Sequence, residues 1–181
     1  MGVIGKDFKF KIIPSFLSSD ELEICNIYCE MKHRTNLTSF DTLQSDVMDT
    51  YFYGDPLMES ILLKKKSLIE KKVGKDLLPT YAFWRMYTKY ADLKKHTDRE
   101  SCEISATVNV GSDKPWPIYM GNETVILQPG DAVLYLGCEI EHWREEFEGD
   151  WCAQFFLHYV DKDGKNYEYF RDKRNYFGIQ K

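Results

Sequence analysis

The sequence predicts a mainly β protein, a sandwich or barrel braced by N-terminal helices. Two segments with helical spacing fall within about 15–74. After Pro79, short segments alternate apolar and polar residues, are rich in β-branched and aromatic side chains, and are separated by turn residues. Because no repeat or linker divides the chain, we predict one domain over 1–181, with helical support at about 15–74 and a β core at about 79–164.

Start and stop residues define the two predicted helices. The first begins at a serine cap, Ser18 or Ser19, with Glu21 in its first turn. Its predicted apolar side comprises Leu22, Ile24, Ile27, Tyr28 and Met31. The second runs from Pro56 to about Lys72 and stops at the following glycine. The stretch 34–54 is polar and predicted to be irregular.

Short strands with clear turn signals make up the predicted β core. A short opening strand ends before Pro14, and the Pro129-Gly130-Asp131 run predicts a tight turn between two strand segments. The other predicted strands lie within 80–90, 102–110 and 151–160. No secondary structure is predicted for the charged, tyrosine-rich tail from 166 to 181.

Composition excludes several classes of protein. Hydrophobic residues at 43% and aromatic residues at 15% argue against disorder in a chain of 181 residues. The net charge of −5 argues against a nucleic-acid partner. The five cysteines form no C-x-x-C pair, which indicates a reducing cytoplasm, and no apolar run approaches the ~20 residues of a membrane span. We therefore expect a cytoplasmic protein with a small-molecule or peptide substrate and no membrane partner; no signal indicates an oligomeric state.

His96 and Asp98 form an H-x-D pair, and His142 follows on another predicted strand. Residues i and i+2 of a strand project from the same face, so the pair can reach one ion. Two imidazoles and one carboxylate on one face of an octahedron leave open positions, the arrangement of non-heme Fe(II) oxygenases. An H-x-D pair alone is common by chance, so its context carries the hypothesis. Zinc fits less well, because no general base of the zinc-hydrolase type lies nearby.

Three segments, RMYTKYADLKKHTD, QPGDAVLYLG and the run leading to EHWRE, resemble the 2-oxoglutarate/Fe(II)-dependent oxygenase superfamily, in its prolyl-4-hydroxylase-like branch. The opening IIPSFLSSDELEIC is similar to the strand-then-helix start common there. The resemblance implies a double-stranded β-helix core of the jelly-roll or cupin-like kind. It also implies that His96, Asp98 and His142 bind Fe(II), with 2-oxoglutarate and O2 as cosubstrates and ascorbate as a further candidate cofactor.

Members of that superfamily usually have an Arg or Lys downstream of the distal histidine, which pairs with the 5-carboxylate of 2-oxoglutarate. This sequence departs from the pattern at that residue, the cosubstrate anchor. No Lys or Arg occurs between Arg144 and Lys162. A buried carboxylate still requires a cation. We favour Arg144, which follows His142 by two residues and has a planar fork suited to a carboxylate. Arg85 is the second candidate, on the same face as Tyr87.

Tyr87 matches the tyrosine that hydrogen-bonds the cosubstrate in the family, so we expect it to assist the anchor. The alternative for Arg144 is a surface ion pair with Glu145 or Glu146. Arg99 directly follows Asp98 and should point to the opposite face. Five aromatic residues could wall the pocket: Tyr81, Phe83, Trp116, Tyr119 and Trp143.

The resemblance implies a dioxygenase that hydroxylates an amino-acid-like substrate, either a peptidyl residue or a small metabolite. The alternative is a non-catalytic, cupin-like module that binds a metal or ligand in the same cavity. Nucleic-acid demethylation by the same iron chemistry is disfavoured, because the chain is acidic and has no groove of interleaved aromatic and basic residues.

Overall fold

The computed structural model describes residues 9–35, 39–40 and 48–179. The helices are α1 (Ser19–Thr35) and α2 (Pro56–Val73). The strands are β1 (Phe10–Ile13), β2 (Ser39–Phe40), β3 (Met48–Tyr53), β4 (Leu77–Thr88), β5 (Leu93–His96), β6 (Ile104–Ser112), β7 (Ile118–Met120), β8 (Glu123–Val125), β9 (Ala132–Tyr135), β10 (His142–Arg144) and β11 (Trp151–Asp161). Short 3-10 turns occur at Glu100–Cys102 and Tyr167–Lys173.

The strands form two antiparallel sheets. The large sheet has the order β1-β9-β6-β11-β4-β3-β2, and the small sheet has the order β5-β10-β7-β8. The Pro129-Gly130-Asp131 turn carries the chain from the small sheet at β8 to the large sheet at β9, and Gly130 adopts the left-handed backbone conformation there (φ 87°). This double-stranded β-helix with N-terminal helices confirms the predicted fold class.

Helix α2 packs against the outer, convex face of the large sheet. Its start is capped by Asp55, whose side chain accepts hydrogen bonds from the N–H groups of Leu57 and Met58. Gly74 ends it in a left-handed conformation (φ 71°). The buried residues Ile61, Leu62 and Ile69 join the main hydrophobic core. The predicted bounds of this helix are therefore confirmed.

Helix α1 turns only part of its predicted apolar side inward. Cys25 and Cys29 are buried, and Leu22 and Tyr28 pack against the same core. Three residues of the predicted apolar side are exposed instead: Ile24, Ile27 and Met31. The buried positions follow the helical spacing i, i+3, i+7, and unpaired thiols bury as readily as small apolar side chains. That part of the prediction is wrong.

Strand β3 lies inside the stretch 34–54 that was predicted to be irregular. It pairs with β4, with Tyr51 opposite Arg85 and Tyr53 opposite Phe83. Residues 36–38 and 41–47 of that stretch lie outside the described residues. Strand β1 also joins the large sheet, beside β9. The sheet thus extends beyond 79–164, and β3 adds an aromatic and acidic strand beside the cavity.

The C-terminal segment after Asn166 packs beside β4. Asp172 is buried and accepts two hydrogen bonds from Arg99, at 2.9 and 3.0 Å. Arg174 forms an ion pair with Glu59 of α2 and donates a hydrogen bond to the backbone oxygen of Thr80. None of the described helices is long and apolar enough to cross a bilayer.

Candidate active site

The three predicted metal ligands converge at the edge of the small sheet. Strand β5 ends at His96 and β10 begins at His142, and these two residues are direct partners across the strand pair. The imidazole centroids lie 4.4 Å apart. Asp98 Oδ1 lies 3.6 Å from the Nε2 atom of each histidine. One ligand atom from each residue therefore lies within 4.8 Å of the others.

Backbone carbonyls fix the orientation of both imidazoles. His96 Nδ1 lies 2.7 Å from the oxygen of Lys94, and His142 Nδ1 lies 2.9 Å from the oxygen of Ile140. A carbonyl oxygen only accepts a hydrogen bond, so each Nδ1 carries the proton. In the neutral ring each Nε2 then keeps its lone pair, directed toward Asp98. This is the arrangement of a histidine that binds a metal through Nε2.

The ionisation of the three side chains suits a cation. Burial opposes the charge of Asp98, but the neighbouring His96 and His142 hold the pKa of this carboxyl below its ordinary value. Burial lowers the pKa of His142, whereas the neighbouring Asp98 raises the pKa of His96. An ionised carboxylate beside a neutral imidazole is a suitable ligand pair for a divalent ion.

Gly137 lies directly against Asp98 and holds its backbone in place. Its backbone oxygen accepts a hydrogen bond from the N–H of Asp98 at 2.8 Å. A Cβ atom at position 137 would collide with Asp98 Oδ2 and the backbone oxygen of Cys102, and would lie 3.0 Å from Ser105 Oγ. Only glycine allows this close approach. Sequence reasoning missed this residue, because nothing in its local pattern indicates a contact with Asp98.

Cys102 and His158 form a second group with Asp98, also within 4.8 Å. Cys102 Sγ lies 3.2 Å from the Tyr81 hydroxyl, and His158 Nδ1 lies 2.8 Å from Ser105 Oγ. Burial raises the pKa of Cys102 to about 12 and lowers the pKa of His158 to about 4, so both are neutral. His158 is thus a buried histidine with a hydrogen-bond partner.

Arg144 is buried, with 3% of its surface exposed, so it does not form the alternative surface ion pair. Its Nη2 donates a hydrogen bond to Gln154 Oε1 at 2.9 Å, and its Nη1 donates to the backbone oxygen of Trp116. The guanidinium lies 4.7 Å from the centre of the Trp116 ring. Among the described residues no carboxylate forms an ion pair with it. Burial lowers the pKa of Arg144, yet arginine keeps its charge in proteins.

Arg85, the second candidate anchor, already has a carboxylate partner. Its Nε and Nη2 atoms each lie 2.8 Å from Asp49 Oδ2, and both side chains are completely buried. Asp49 also accepts a hydrogen bond from the N–H of Thr88 at 2.9 Å. The charge of Arg85 is therefore balanced within the protein.

Tyr87 lies between these arginines and the cavity. The Arg85 guanidinium sits 4.9 Å from the centre of its ring, and its side chain lines the cavity. Burial raises its pKa to about 12, so the phenol stays protonated at neutral pH. No hydrogen bond among the described residues uses its hydroxyl. It can therefore donate a hydrogen bond to a molecule in the cavity.

The cavity has a volume of about 220 Å³, and all three predicted metal ligands line it. Tyr81 and Phe83, two of the five candidate wall residues, line it too. Tyr119 and Trp143 instead stack on each other at 5.4 Å within the small sheet, and Trp116 packs beside Arg144. Aromatic lining residues that sequence reasoning missed are Tyr53, Tyr135 and Phe156.

Arg99 turns away from its neighbour Asp98 in the chain, as predicted. It pairs with Asp172 of the C-terminal segment, and its guanidinium lies 4.8 Å from the centre of the Tyr81 ring. The position of Arg99 is thus fixed by a buried carboxylate and by an aromatic residue of the cavity wall.

Solved structures with the same fold extend over most of this chain. A prolyl-4-hydroxylase of Pseudomonas putida has a TM-score of 0.65 at 14% identity, covering 86% of this chain and 94% of its own. The viral collagen prolyl hydroxylase of Paramecium Bursaria Chlorella virus-1, solved with 2-oxoglutarate, has a TM-score of 0.65 at 12% identity, covering 86% and 97%. HygX of Streptomyces hygroscopicus, with nickel, 2-oxoglutarate and hygromycin B bound, has a TM-score of 0.66 at 14% identity, covering 86% and 84%.

No protein-family model matches the sequence, and no curated protein matches it at a significant level. At these identities the likeness concerns the fold. The chain has the double-stranded β-helix fold of the 2-oxoglutarate/Fe(II)-dependent oxygenases, prolyl hydroxylases among them, and the resemblance noted in the sequence is confirmed at that level.

Proposed function

We propose that this protein is an Fe(II)- and 2-oxoglutarate-dependent dioxygenase that binds iron through His96, Asp98 and His142. The observation that carries the proposal is the convergence of two Nε2 atoms and one carboxylate oxygen, with both Nδ1 protons held by backbone carbonyls. Such a set leaves open positions on the ion. When bound, iron and 2-oxoglutarate supply the oxidising chemistry, in which O2 is consumed and 2-oxoglutarate is converted to succinate and CO2.

Arg144 is the proposed anchor for the 5-carboxylate of 2-oxoglutarate. Its buried guanidinium has only neutral acceptors among the described residues, and a buried charge without a counter-charge is costly. Positions i and i+2 of a strand are separated by ~6.8 Å, comparable to the length of a five-carbon diacid, and Arg144 follows His142 by two residues. Arg85 is the weaker candidate, because Asp49 already neutralises it.

The protein's own groups would bind and orient the reactants. The Tyr87 hydroxyl would donate a hydrogen bond to the cosubstrate, and both imidazoles would present Nε2 to the metal because the backbone oxygens of Lys94 and Ile140 accept their Nδ1 protons. The aromatic wall would exclude water from the metal. We propose hydroxylation as the reaction. The substrate expected from the sequence is amino-acid-like, either a peptidyl residue or a small metabolite. O2 is the second cosubstrate, and ascorbate stays a candidate cofactor.

Succinate formation tests this function. The purified protein should convert 2-oxoglutarate to succinate only when Fe(II) and O2 are present, and His96→Ala should abolish both metal binding and succinate formation. His33→Ala is the matched control, because that imidazole bonds Thr50 on another part of the protein. Succinate formation that persists in His96→Ala would reject the proposal. Metal and ligand binding without any turnover would favour the non-catalytic, cupin-like module.

A further inference from the structure

The strand register places three neighbouring transverse rows on the concave face of the large sheet, and the Tyr87–Cys152 pair lies beyond them. The row nearest the metal ligands comprises Tyr81, His158, Ser105 and Tyr135. The third row comprises Tyr51, Arg85, Gln154 and Asn109. The row between comprises Tyr53, Phe83, Phe156, Thr107 and Val133. The outer rows are mostly polar, whereas the middle row begins with three aromatic rings.

Those three rings form a partly exposed apolar wall. Tyr53, Phe83 and Phe156 are neighbours across three strands, and all three line the cavity. The centroids of Phe83 and Phe156 lie 6.0 Å apart, and Tyr51 stacks on Phe83 at 5.7 Å. Phe83 and Phe156 remain partly exposed, although the residues before and after each of them are buried. Apolar rings left open to a cavity gain free energy when a ligand covers them.

We propose that the Tyr53–Phe83–Phe156 wall binds the ring of an uncharged aromatic small molecule and that this molecule is the substrate. The inference rests on the proposed oxygenase function and narrows its substrate class. It favours a small aromatic metabolite over a free amino acid or a peptidyl residue.

A cationic ligand would compete with arginines that already contact the tyrosines around this wall. Three guanidinium groups lie against tyrosine rings of the concave face, at 4.8 to 6.0 Å from the ring centres: Arg99 on Tyr81, Arg174 on Tyr53 and Arg85 on Tyr51. The cation–π stabilisation that these rings offer is therefore already partly used. A substrate ammonium group is therefore disfavoured.

An anionic ligand would meet arginines around the wall whose charges are already balanced. Each of the three arginines has a buried carboxylate partner: Arg85 with Asp49, Arg99 with Asp172 and Arg174 with Glu59. Arg144 has no such partner among the described residues, but the cosubstrate requires it. A zwitterionic amino acid would thus lose the hydration of both charged groups without compensation at the wall.

The hydroxyl groups of Tyr53 and Tyr81 are already used. Tyr53 donates a hydrogen bond to Asp172, and the Tyr81 hydroxyl lies 3.2 Å from Cys102 Sγ. The wall therefore offers ring faces and edges rather than free polar groups. Such a surface selects a ligand by the shape and π-electrons of its ring.

Calorimetry with 2-naphthol and its saturated analogue decahydro-2-naphthol tests the inference. The protein is loaded anaerobically with Fe(II) and 2-oxoglutarate, and zwitterionic phenylalanine serves as the charged probe. We expect 2-naphthol to bind at least about five-fold more tightly than either comparison compound. Phe83→Leu and Phe156→Leu, which remove a ring but stay apolar, should each weaken 2-naphthol binding by about three- to ten-fold.

Phe52→Leu is the matched control, because its ring stacks on Trp84, which belongs to the main core on the other face of the sheet. It should leave 2-naphthol binding unchanged. The affinity for 2-oxoglutarate, measured in every variant, should stay constant and shows that each variant is folded. Equal affinity for 2-naphthol and its saturated analogue, or no effect of either Phe83→Leu or Phe156→Leu, would overturn the inference.

The same titrations separate this inference from the proposed function. Normal 2-oxoglutarate binding without a preference for 2-naphthol rejects the aromatic substrate and leaves the oxygenase standing. Preference for 2-naphthol in a protein with no 2-oxoglutarate affinity rejects the oxygenase, and with it the assignment of the aromatic ligand as an oxygenase substrate.

Discussion

Arg144 donates a hydrogen bond to Gln154 Oε1 across 2.9 Å, and the strand register places Gln154 opposite Arg85. This buried region therefore holds two guanidinium groups, of which Asp49 neutralises Arg85. A net positive charge remains among the described residues there. A buried excess charge needs a counter-ion, and the 5-carboxylate of 2-oxoglutarate would supply it.

Arg144→Met should weaken the binding of 2-oxoglutarate by at least about 30-fold, or about 2 kcal/mol, since the carboxylate would lose its buried partner. Calorimetry on the metal-loaded protein measures this loss. Metal affinity should be unchanged, because Arg144 makes no contact with the three ligands. Without ligand the variant should be at least as stable as the parent protein, because a buried uncompensated charge is removed. Wild-type affinity in Arg144→Met would exclude this residue as the anchor.

Arg85→Met, unlike Arg144→Met, should make the ligand-free protein less stable. It leaves Asp49 buried without its cation, so the free energy of unfolding should fall by about 3–5 kcal/mol in chemical denaturation. The double variant Arg85→Met/Asp49→Leu should recover most of that loss, because no charge remains unpaired. Failure of the double variant to recover stability would show that Arg85 contributes mainly through packing.

Gly137→Ala should lower metal affinity by about 10- to 100-fold, the range for groups that orient a metal ligand. The added methyl group collides with Asp98 Oδ2 and so moves the carboxylate. Gly111→Ala is the control, because its Cβ meets only side-chain atoms of Trp151 and Asn26, at 3.1 to 3.4 Å. Competition with a metal-sensitive dye measures both variants. Equal metal affinity in the two would contradict the role assigned to Gly137.

Glu21 should make stability depend on pH. Partial burial opposes its charge, but the side chain of Lys65, the N–H of Ser18 and the side chain of Lys64 lower its pKa from 4.5 to about 2. A carboxyl with a depressed pKa in the folded state stabilises the protein above its unfolded pKa, and this contribution disappears as the pH falls toward 2. Glu21→Gln should cost about 1 kcal/mol at pH 7 and progressively less between pH 4.5 and pH 2.

Glu23→Gln provides the comparison, because Glu23 is exposed on the same helix. Thermal unfolding at several pH values should separate the two variants at pH 7 and bring them together near pH 2. A constant difference between them across that range would contradict the link to Glu21 ionisation.

Local patterns predict the proposed metal centre because its geometry is mostly local. His96 and Asp98 are two positions apart next to a strand, and a short strand beginning at His142 completes the group. The capped helix α2 is predicted for the same reason, since Asp55 and Gly74 lie directly at its ends.

The balance of buried charge could not be predicted, because it depends on pairing between distant strands. Asp49 lies in a stretch without clear alternation and meets Arg85 only because β3 adds to the edge of β4. The Phe83–Phe156 contact likewise follows from the register of β4 and β11. Patterns within one segment predict which face a side chain shares with its neighbours, but they do not predict its partner on another strand.

An anaerobic titration of the Fe(II)-loaded protein with 2-oxoglutarate measures whether the cosubstrate binds together with the metal. We expect binding of one molecule per chain that requires the metal, is lost in Asp98→Ala and is strongly weakened in Arg144→Met. Absence of 2-oxoglutarate binding to the iron-loaded protein, or equal binding with and without iron, would contradict this expectation.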